Sequence, residues 1–257
     1  MTWETIALDI DDDIATLTID RPESLNALTV ETLEAMEAAL AEAADAGVRA
    51  LVLAGAGDRA FVAGADISHM VELTTPEAQA YAELGHRVAD TIETFPAPVI
   101  AAIDGYAFGG GSELALAADL RVASEDAAIG QTEIDIGIIP GWGGTQRLSR
   151  LVDDGTARRM VFLGERLDAH AAEEVGLVGE VVSPDEFDDR IDELAGELAA
   201  KPAFAMRAAK EALNAAHEGS AAAGLALERR AWSGLFGTHD QREGMAAFVE
   251  KRDPEFE

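Results

Sequence analysis

The chain has 257 residues, with 19 Lys and Arg against 49 Asp and Glu, for a formal net charge of −30. So large an acidic excess repels phosphate backbones and anionic lipid surfaces and argues against nucleic acid or membrane as partners. The absence of cysteine excludes a disulfide framework, a thiolate nucleophile and a cysteine-based zinc site.

No Ser/Pro/Gly-rich linker divides the chain, so its length predicts one α/β domain carrying a helical tail. The acid is spread along the sequence rather than gathered in a block. That suits a soluble acidic enzyme and, more sharply, a halophilic surface that stays soluble in molar salt, where screening shortens the range of self-repulsion. The N-terminus has neither a basic start nor an apolar signal core, and no run approaches membrane-spanning length, which predicts a cytoplasmic protein.

Thr5 to Ile10 and Ile14 to Ile19 alternate in character around Asp11–Asp13 and read as a hairpin. Arg21-Pro22 and Asn26-Ala27-Leu28 form a turn-rich connection. Thr29 can cap a helix with Glu31 in its first turn and Leu33, Met36 and Leu40 along one face, ending at Gly47. Val48 to Ala54 then reads as a buried parallel strand, giving a βαβ pattern with loops at the strand ends, where ligands commonly bind. Phe61 to Ile67 reads on its own as a small-residue turn. Thr75-Pro76-Glu77 supplies cap, N1 proline and early acid for a helix bearing Tyr81, Leu84, Val88 and Ile92, which stops before Pro96 and Pro98.

Pro98 to Asp104 is an apolar run that reads as a buried strand, followed by three glycines and a helical stretch from Ser112 to Ala118. Beyond it, Gly143 to Val152 and Thr156 to Leu163 are predicted helical, and Leu177 to Val182 a short strand. Ser183-Pro184-Asp185-Glu186 combines a capping box with an N1 proline and starts a helix to about Ala200. From there to Lys251 helix formers dominate, broken near Gly219 and Gly237, in a helical region (201–257) that follows the 1–200 core and whose Leu225, Phe236 and Phe248 need cover.

The chemistry concentrates in residues 105–147. A glycine turn that opens a helix lets the backbone approach a ligand and leaves outward N–H donors for developing negative charge, the requirement of an oxyanion hole. Glu113, in the first helical turn, is favoured as an anion by the helix dipole and suits a base. Glu133 sits among Ile134, Ile136, Ile138 and Ile139; if that loop is buried, desolvation favours the neutral acid, which suits a proton donor. Other constellations fail. His69, His86, His170, His217 and His239 are scattered without metal-binding spacing, the sequence around Ser112 lacks the second glycine of a G-x-S-x-G elbow, and no GK[ST] follows a glycine run.

The ordered set AGADI at 63–67, GGGSE at 109–113, GQTEI at 130–134 and IPGWGGTQRL at 139–148, with RPESLNAL at 21–28 and DQREGMAAFVEKRDPEF at 240–256, closely resembles the enoyl-CoA hydratase/isomerase (crotonase) family over nearly the whole chain. The resemblance implies a spiral of ββα turns whose C-terminal helices pack in a trimer, often doubled to a hexamer. By the same resemblance, Ala65 and Gly110 N–H groups form the oxyanion hole, and Glu113 and Glu133 hold a water that Gly141 N–H positions. CoA is then expected along Arg21, Asn26, Ala27 and Leu28, and along Ala63, Ala65, Asp66 and Ile67, with Lys251 as a further contact. Tyr81 and Trp142 fall at the acyl pocket. The family's CoA thioester is a substrate, and no metal or redox cofactor is implied.

Ser68 and His69 stand where many members carry a lysine for the CoA phosphates, which leaves Arg21 and Lys251 as cationic candidates. The implied reaction is reversible hydration of a trans-2-enoyl-CoA. Δ3-Δ2-enoyl-CoA isomerisation, which needs one carboxylate, is the nearest alternative, and thioester hydrolysis in the same oxyanion hole is another. Against a non-catalytic acyl-CoA- or RNA-binding protein speak the intact glutamate pair and the net charge.

Overall fold

Two strands that alternate apolar and polar residues can pair across a short acidic turn, and they do. In the computed structural model, which describes residues 3–217 and 219–257, β1 (Ile6–Asp11) runs antiparallel to β2 (Ile14–Ile19), with Ile10 opposite Ala15. Thr29 accepts a hydrogen bond from Thr32 N–H and caps α1 (Val30–Ala46), which ends at a left-handed Gly47. Burial of Leu33, Met36 and Leu40 then returns the chain to β3 (Ala50–Gly55), parallel to β2.

A short α2 (Ile67–Met70) precedes α3 (Thr75–Glu93), and β4 (Val99–Ile103) joins β3 in parallel. The cap of α3 lies one residue earlier than Thr75. Thr74 N–H and hydroxyl both donate to the Glu77 carboxylate, at 2.8 and 2.5 Å, so Glu77 is the third residue of the helix and Pro76 the second. The spacing from cap to acid decides the register.

Next come β5 (Tyr106–Phe108), α4 (Gly110–Ala117), β6 (Leu120–Ser124) and β7 (Ala128–Gly130). After them follow α5 (Gly144–Leu151), α6 (Asp154–Leu163), β8 (Arg166–Asp168), α7 (Ala169–Glu174) and β9 (Glu180–Val182). The large sheet has six strands in the order β1-β2-β3-β4-β6-β9, and β5-β7-β8 form a smaller one. The short strands of the small sheet carry too few residues for a period to show in the sequence. The expected strand from Leu177 is confined to Glu180–Val182, because Leu177 and Val178 turn into the core and donate their N–H groups to Ala172 O.

The central strands are buried on both faces, as parallel strands covered by helices must be. Leu51 and Leu53 face the main core with α1, α3 and α4, whereas Ala50, Val52, Ile100 and Val122 meet Phe187, Ile191 and Ala195 of α8 (Phe187–Ala199). The Ser183–Glu186 segment departs from the expected cap: Pro184–Glu186 is a 3-10 turn, and Ser183 hydroxyl donates to the Glu186 carboxylate at 2.8 Å.

The tail comprises α9 (Ala203–Ala215), α10 (Ala221–Gly234) and α11 (His239–Glu250). A buried charge latches α9 to the core. Lys210 ammonium donates to Asp119 carboxylate at 2.7 Å and to the carbonyls of Ile92 and Ala97 at 3.2 Å each. In contrast, α10 has no buried residue, and Phe248 of α11 is 85% exposed. No helix among the described residues is long and apolar enough to cross a membrane.

Removing the latch leaves Asp119 partly buried without its cation, and burial already pushes that carboxyl upward. Lys210→Ala is expected to destabilise the chain by about 3 kcal/mol, as for a broken buried pair. The check is a urea denaturation with the midpoint lowered and the slope unchanged; an unchanged midpoint would remove the latch from the fold's stability.

Candidate active site

The glycine turn after β5 does what its composition promises. Gly109 has φ +49° and ψ −123°, a backbone conformation that side chains disfavour, and it reverses the chain into α4. A Cβ at Gly111 would stand 2.0 Å from Val62 O, so α4 starts in direct contact with the 62–65 segment. Two ladder bonds seal that contact: Val62 N–H donates to Tyr106 O at 3.0 Å, and Phe108 N–H to Val62 O at 3.1 Å.

This apposition brings two N–H groups to one place. Gly64 O and Asp66 N–H are engaged by Leu28 N–H and Leu28 O, both at 2.9 Å. The alternation of an extended chain then turns Ala65 N–H to the opposite side. Gly110 opens α4, where an N–H has no partner within the helix. Both residues line a cavity of about 530 Å³. Two backbone donors facing one cavity are the elements of an oxyanion hole.

Glu113, Glu133, Gly141, Tyr81 and Trp142 line the same cavity. Glu113 is only 2% exposed, and one carboxylate oxygen accepts from Trp142 N–H and Gly144 N–H, each at 2.7 Å. Burial drives its pKa upward against those donors and that of Gly141. The expected help of the helix dipole is therefore not the main influence; desolvation is, and three backbone donors oppose it. Glu133 is 8% exposed, and neither carboxylate oxygen accepts a hydrogen bond from another of the described residues. Desolvation first, then the charge of Glu113, pushes it up to about 7. Burial raises both carboxyls, but Glu113 has backbone donors that favour its anion, whereas Glu133 also meets the charge of Glu113.

The isoleucines do not bury Glu133 as the sequence suggested. Ile134, Ile136, Ile138 and Ile139 are all exposed, Ile139 by 65%, and the last three edge the cavity. The glycine turn comes close to Glu133: a Cβ at Gly109 would lie 3.3 Å from its carboxylate.

Sequence reasoning gave no role to Arg147, Gln131 or Gly85. Arg147 guanidinium donates to Trp142 O at 2.9 Å, to Glu93 at 2.6 and 2.9 Å and to Asp90 at 2.6 Å. It clamps the loop that presents Trp142 and Gly144 N–H to Glu113. Gly143 makes room for it: φ is +104°, and a Cβ would lie 2.3 Å from the guanidinium. Gln131 amide donates to Ser112 hydroxyl at 3.0 Å, tying the segment before Glu133 to the helix of Glu113. Only the glycines around Arg147 carried any local signal.

The expected CoA segments lie side by side, but most of their polar side chains are spent on each other. Asn26 is fully buried, donating to Ala56 O and Ala60 O at 2.9 and 2.7 Å and accepting from Arg21 N–H. Arg21 donates to Ala27 O and lies 3.7 Å from Asp66. Leu28 is also fully buried, and neither residue lines the cavity. Ala63 and Ile67 line the cavity; Lys251, the left-handed cap of α11, does not. Among the described residues no group of three His, Asp or Glu side chains is arranged to hold a metal ion.

The raised Glu133 pKa has a stability consequence. Between the ordinary carboxyl value of 4.5 and about 7 the folded chain keeps a proton that the unfolded chain has lost, so this group's contribution to stability falls as pH rises through that window. Glu133→Gln does not titrate. Its melting temperature relative to the wild type is expected to climb from pH 4.5 to pH 7 and then level off; a difference independent of pH would contradict the burial argument.

The sequence profile described as Enoyl-CoA hydratase/isomerase matches residues 9–257. The chain is 41% identical to crotonyl-CoA hydratase of Syntrophomonas wolfei, covering 100% of this chain and 99% of that one. It is also 41% identical to short-chain-enoyl-CoA hydratase of Clostridium acetobutylicum, over 98% and 97% of the two chains. Its fold superposes on the crystal structure of enoyl-CoA hydratase from Bacillus anthracis with a TM-score of 0.94 at 36% identity, covering 98% of this chain and 99% of that one. With its sequence matched from end to end and its mixed α/β fold shared, the chain belongs to the enoyl-CoA hydratase/isomerase family and has the crotonase fold.

Proposed function

We propose that the cavity adds water reversibly across a short trans-2-enoyl-CoA to give the 3-hydroxyacyl-CoA. The observation that carries this reading is the pair of buried carboxylates with unlike surroundings, on a cavity that Ala65 and Gly110 also line. Ionised Glu113 takes a proton from water as its oxygen bonds to Cβ, and neutral Glu133 gives its proton to Cα. Between these events the charge rests on the thioester oxygen, held by Ala65 and Gly110 N–H. Gly141 N–H helps to place the water. An isomerase needs one carboxylate and no water, so two buried ones favour hydration. The names of the two relatives given above support the short acyl group.

CoA lies along Arg21, Asn26, Ala27, Leu28 and the 63–67 segment, with Lys251 reaching it from the tail. Residues 201–257 form the oligomerisation region, and the exposed aromatic faces of α10 and α11 pack against sister subunits in a trimer or a dimer of trimers. The enzyme works in the cytoplasm, without nucleic acid, membrane, metal or redox cofactor, and its acidic surface is adapted to high salt.

Replacing either Glu113 or Glu133 by Gln is expected to lower kcat for crotonyl-CoA hydration by about 10²-fold or more. The double variant should lose less than the product of the single losses, because both act on one water. Near wild-type hydration by folded Glu113→Gln would sink the hydratase assignment, and free CoA as the product would point to hydrolysis.

A KCl series tests the surface and the assembly together. Screening of the −30 charge should raise the melting temperature from low to molar salt, while light scattering in molar KCl should give three or six times the 27.0 kDa chain. A flat or falling melting temperature removes the salt reading; a monomer mass removes the assembly.

A further inference from the structure

Along α3, Ala78, Tyr81 and Ala82 line the cavity, at positions that share one helix face. Gly85 continues that face one turn on, yet it does not reach the cavity. The Trp142 indole covers it. A Cβ built on Gly85 would lie 2.2 Å from the indole, and one built on Gly110, from the opposite helix, 2.3 Å from it. The ring therefore occupies a slot between α3 and α4 that exists because both facing residues lack a side chain.

The ring has little freedom to leave. Its backbone is pinned on both sides, by Trp142 N–H to Glu113 at 2.7 Å and by Arg147 to Trp142 O at 2.9 Å. Tyr81 packs edge-on against it, 5.5 Å between centroids at 82°, and is itself fixed by a 2.7 Å hydrogen bond from its hydroxyl to Leu28 O. A wall so held cannot swing aside for a longer chain at small cost.

We propose that Trp142, seated on Gly85, is the specificity-determining end wall of the cavity, closing it at the Gly85 turn of α3 and restricting the enzyme to short acyl groups. The inference rests on the hydratase reading above. Removing the indole extends the cavity along α3 beyond Tyr81; adding a methyl at Gly85 pushes the indole toward the cavity and shortens it.

The test compares kcat/KM for crotonyl-CoA and trans-2-octenoyl-CoA. Trp142→Ala is expected to raise the octenoyl-to-crotonyl ratio by about tenfold or more, and Gly85→Ala to lower it. The double variant Gly85→Ala, Trp142→Ala should melt above Gly85→Ala alone, because the new methyl then enters vacated space. An unchanged ratio in folded Trp142→Ala that still hydrates crotonyl-CoA overturns the proposal. Should that variant fail to fold, Trp142→Phe, with one ring fewer, must move the ratio in the same direction, and failure to do so also overturns it. If the wild type hydrates neither substrate, the hydratase reading fails by itself. Calorimetric Kd values for butyryl-CoA and octanoyl-CoA then judge the wall, which stands if Trp142→Ala favours the longer ligand and falls if it does not.

Discussion

A carboxylate taken out of water must find hydrogen-bond donors, and the site depends on how Glu113 finds them. Its donors are the backbone N–H groups of Trp142 and Gly144, which belong to a loop with no reason of its own to hold that shape. Arg147 supplies the reason. Its guanidinium is one-sided in charge but three-sided in contact, gripping the loop carbonyl at Trp142 while anchored to Asp90 and Glu93 at the end of α3. Glu113, the loop and the helix that lines the cavity thus form one connected unit, and a change at any member moves the others.

Small residues in this structure mark close approaches rather than flexibility. Gly111 lets α4 touch the Val62 carbonyl, Gly144 leaves space for the Glu113 side chain, and Gly85 and Gly110 together admit an indole. Each trades a side chain for a contact made by something more useful to the site: a donor, a carboxylate or a wall. The unlike environments of the two glutamates follow from the same packing. One lies against the loop's N–H groups, the other against the glycine turn and without a partner, and that difference separates their protonation states more than any property of glutamate itself.

Outside, the balance reverses. The excess of acid is carried by exposed helices and turns, while the buried ionic groups, Lys210 with Asp119 and Arg147 with Glu93, are paired and hydrogen-bonded. Charge is tolerated inside only where geometry satisfies it. The large exposed apolar residues of the tail are the other exception on the surface: Leu225, Trp232, Phe236, Met245, Phe248 and Val249, with the Trp232 and Phe236 rings in contact.

The hairpin, the capped helix at Thr29, the buried strands around Val52 and Ala101 and the glycine turn before Glu113 were all legible in the sequence, because caps, periods and glycines act over a few residues. So was the grouping of Ala65, Gly110, Glu113, Glu133 and Gly141, which line one cavity, since the motifs single out those positions. What the sequence could not show was decided by contacts between distant segments. Glu113's main influence is burial rather than its helix terminus, Glu133 is buried although its neighbouring isoleucines are exposed, and Asn26 is consumed by carbonyls thirty or more residues away. Arg147 reads locally as a helix residue and acts as a clamp because Asp90 and Glu93 arrive from another helix. Local physics chose the elements; long-range packing set the desolvation of the two carboxyls and the lining of the cavity they share.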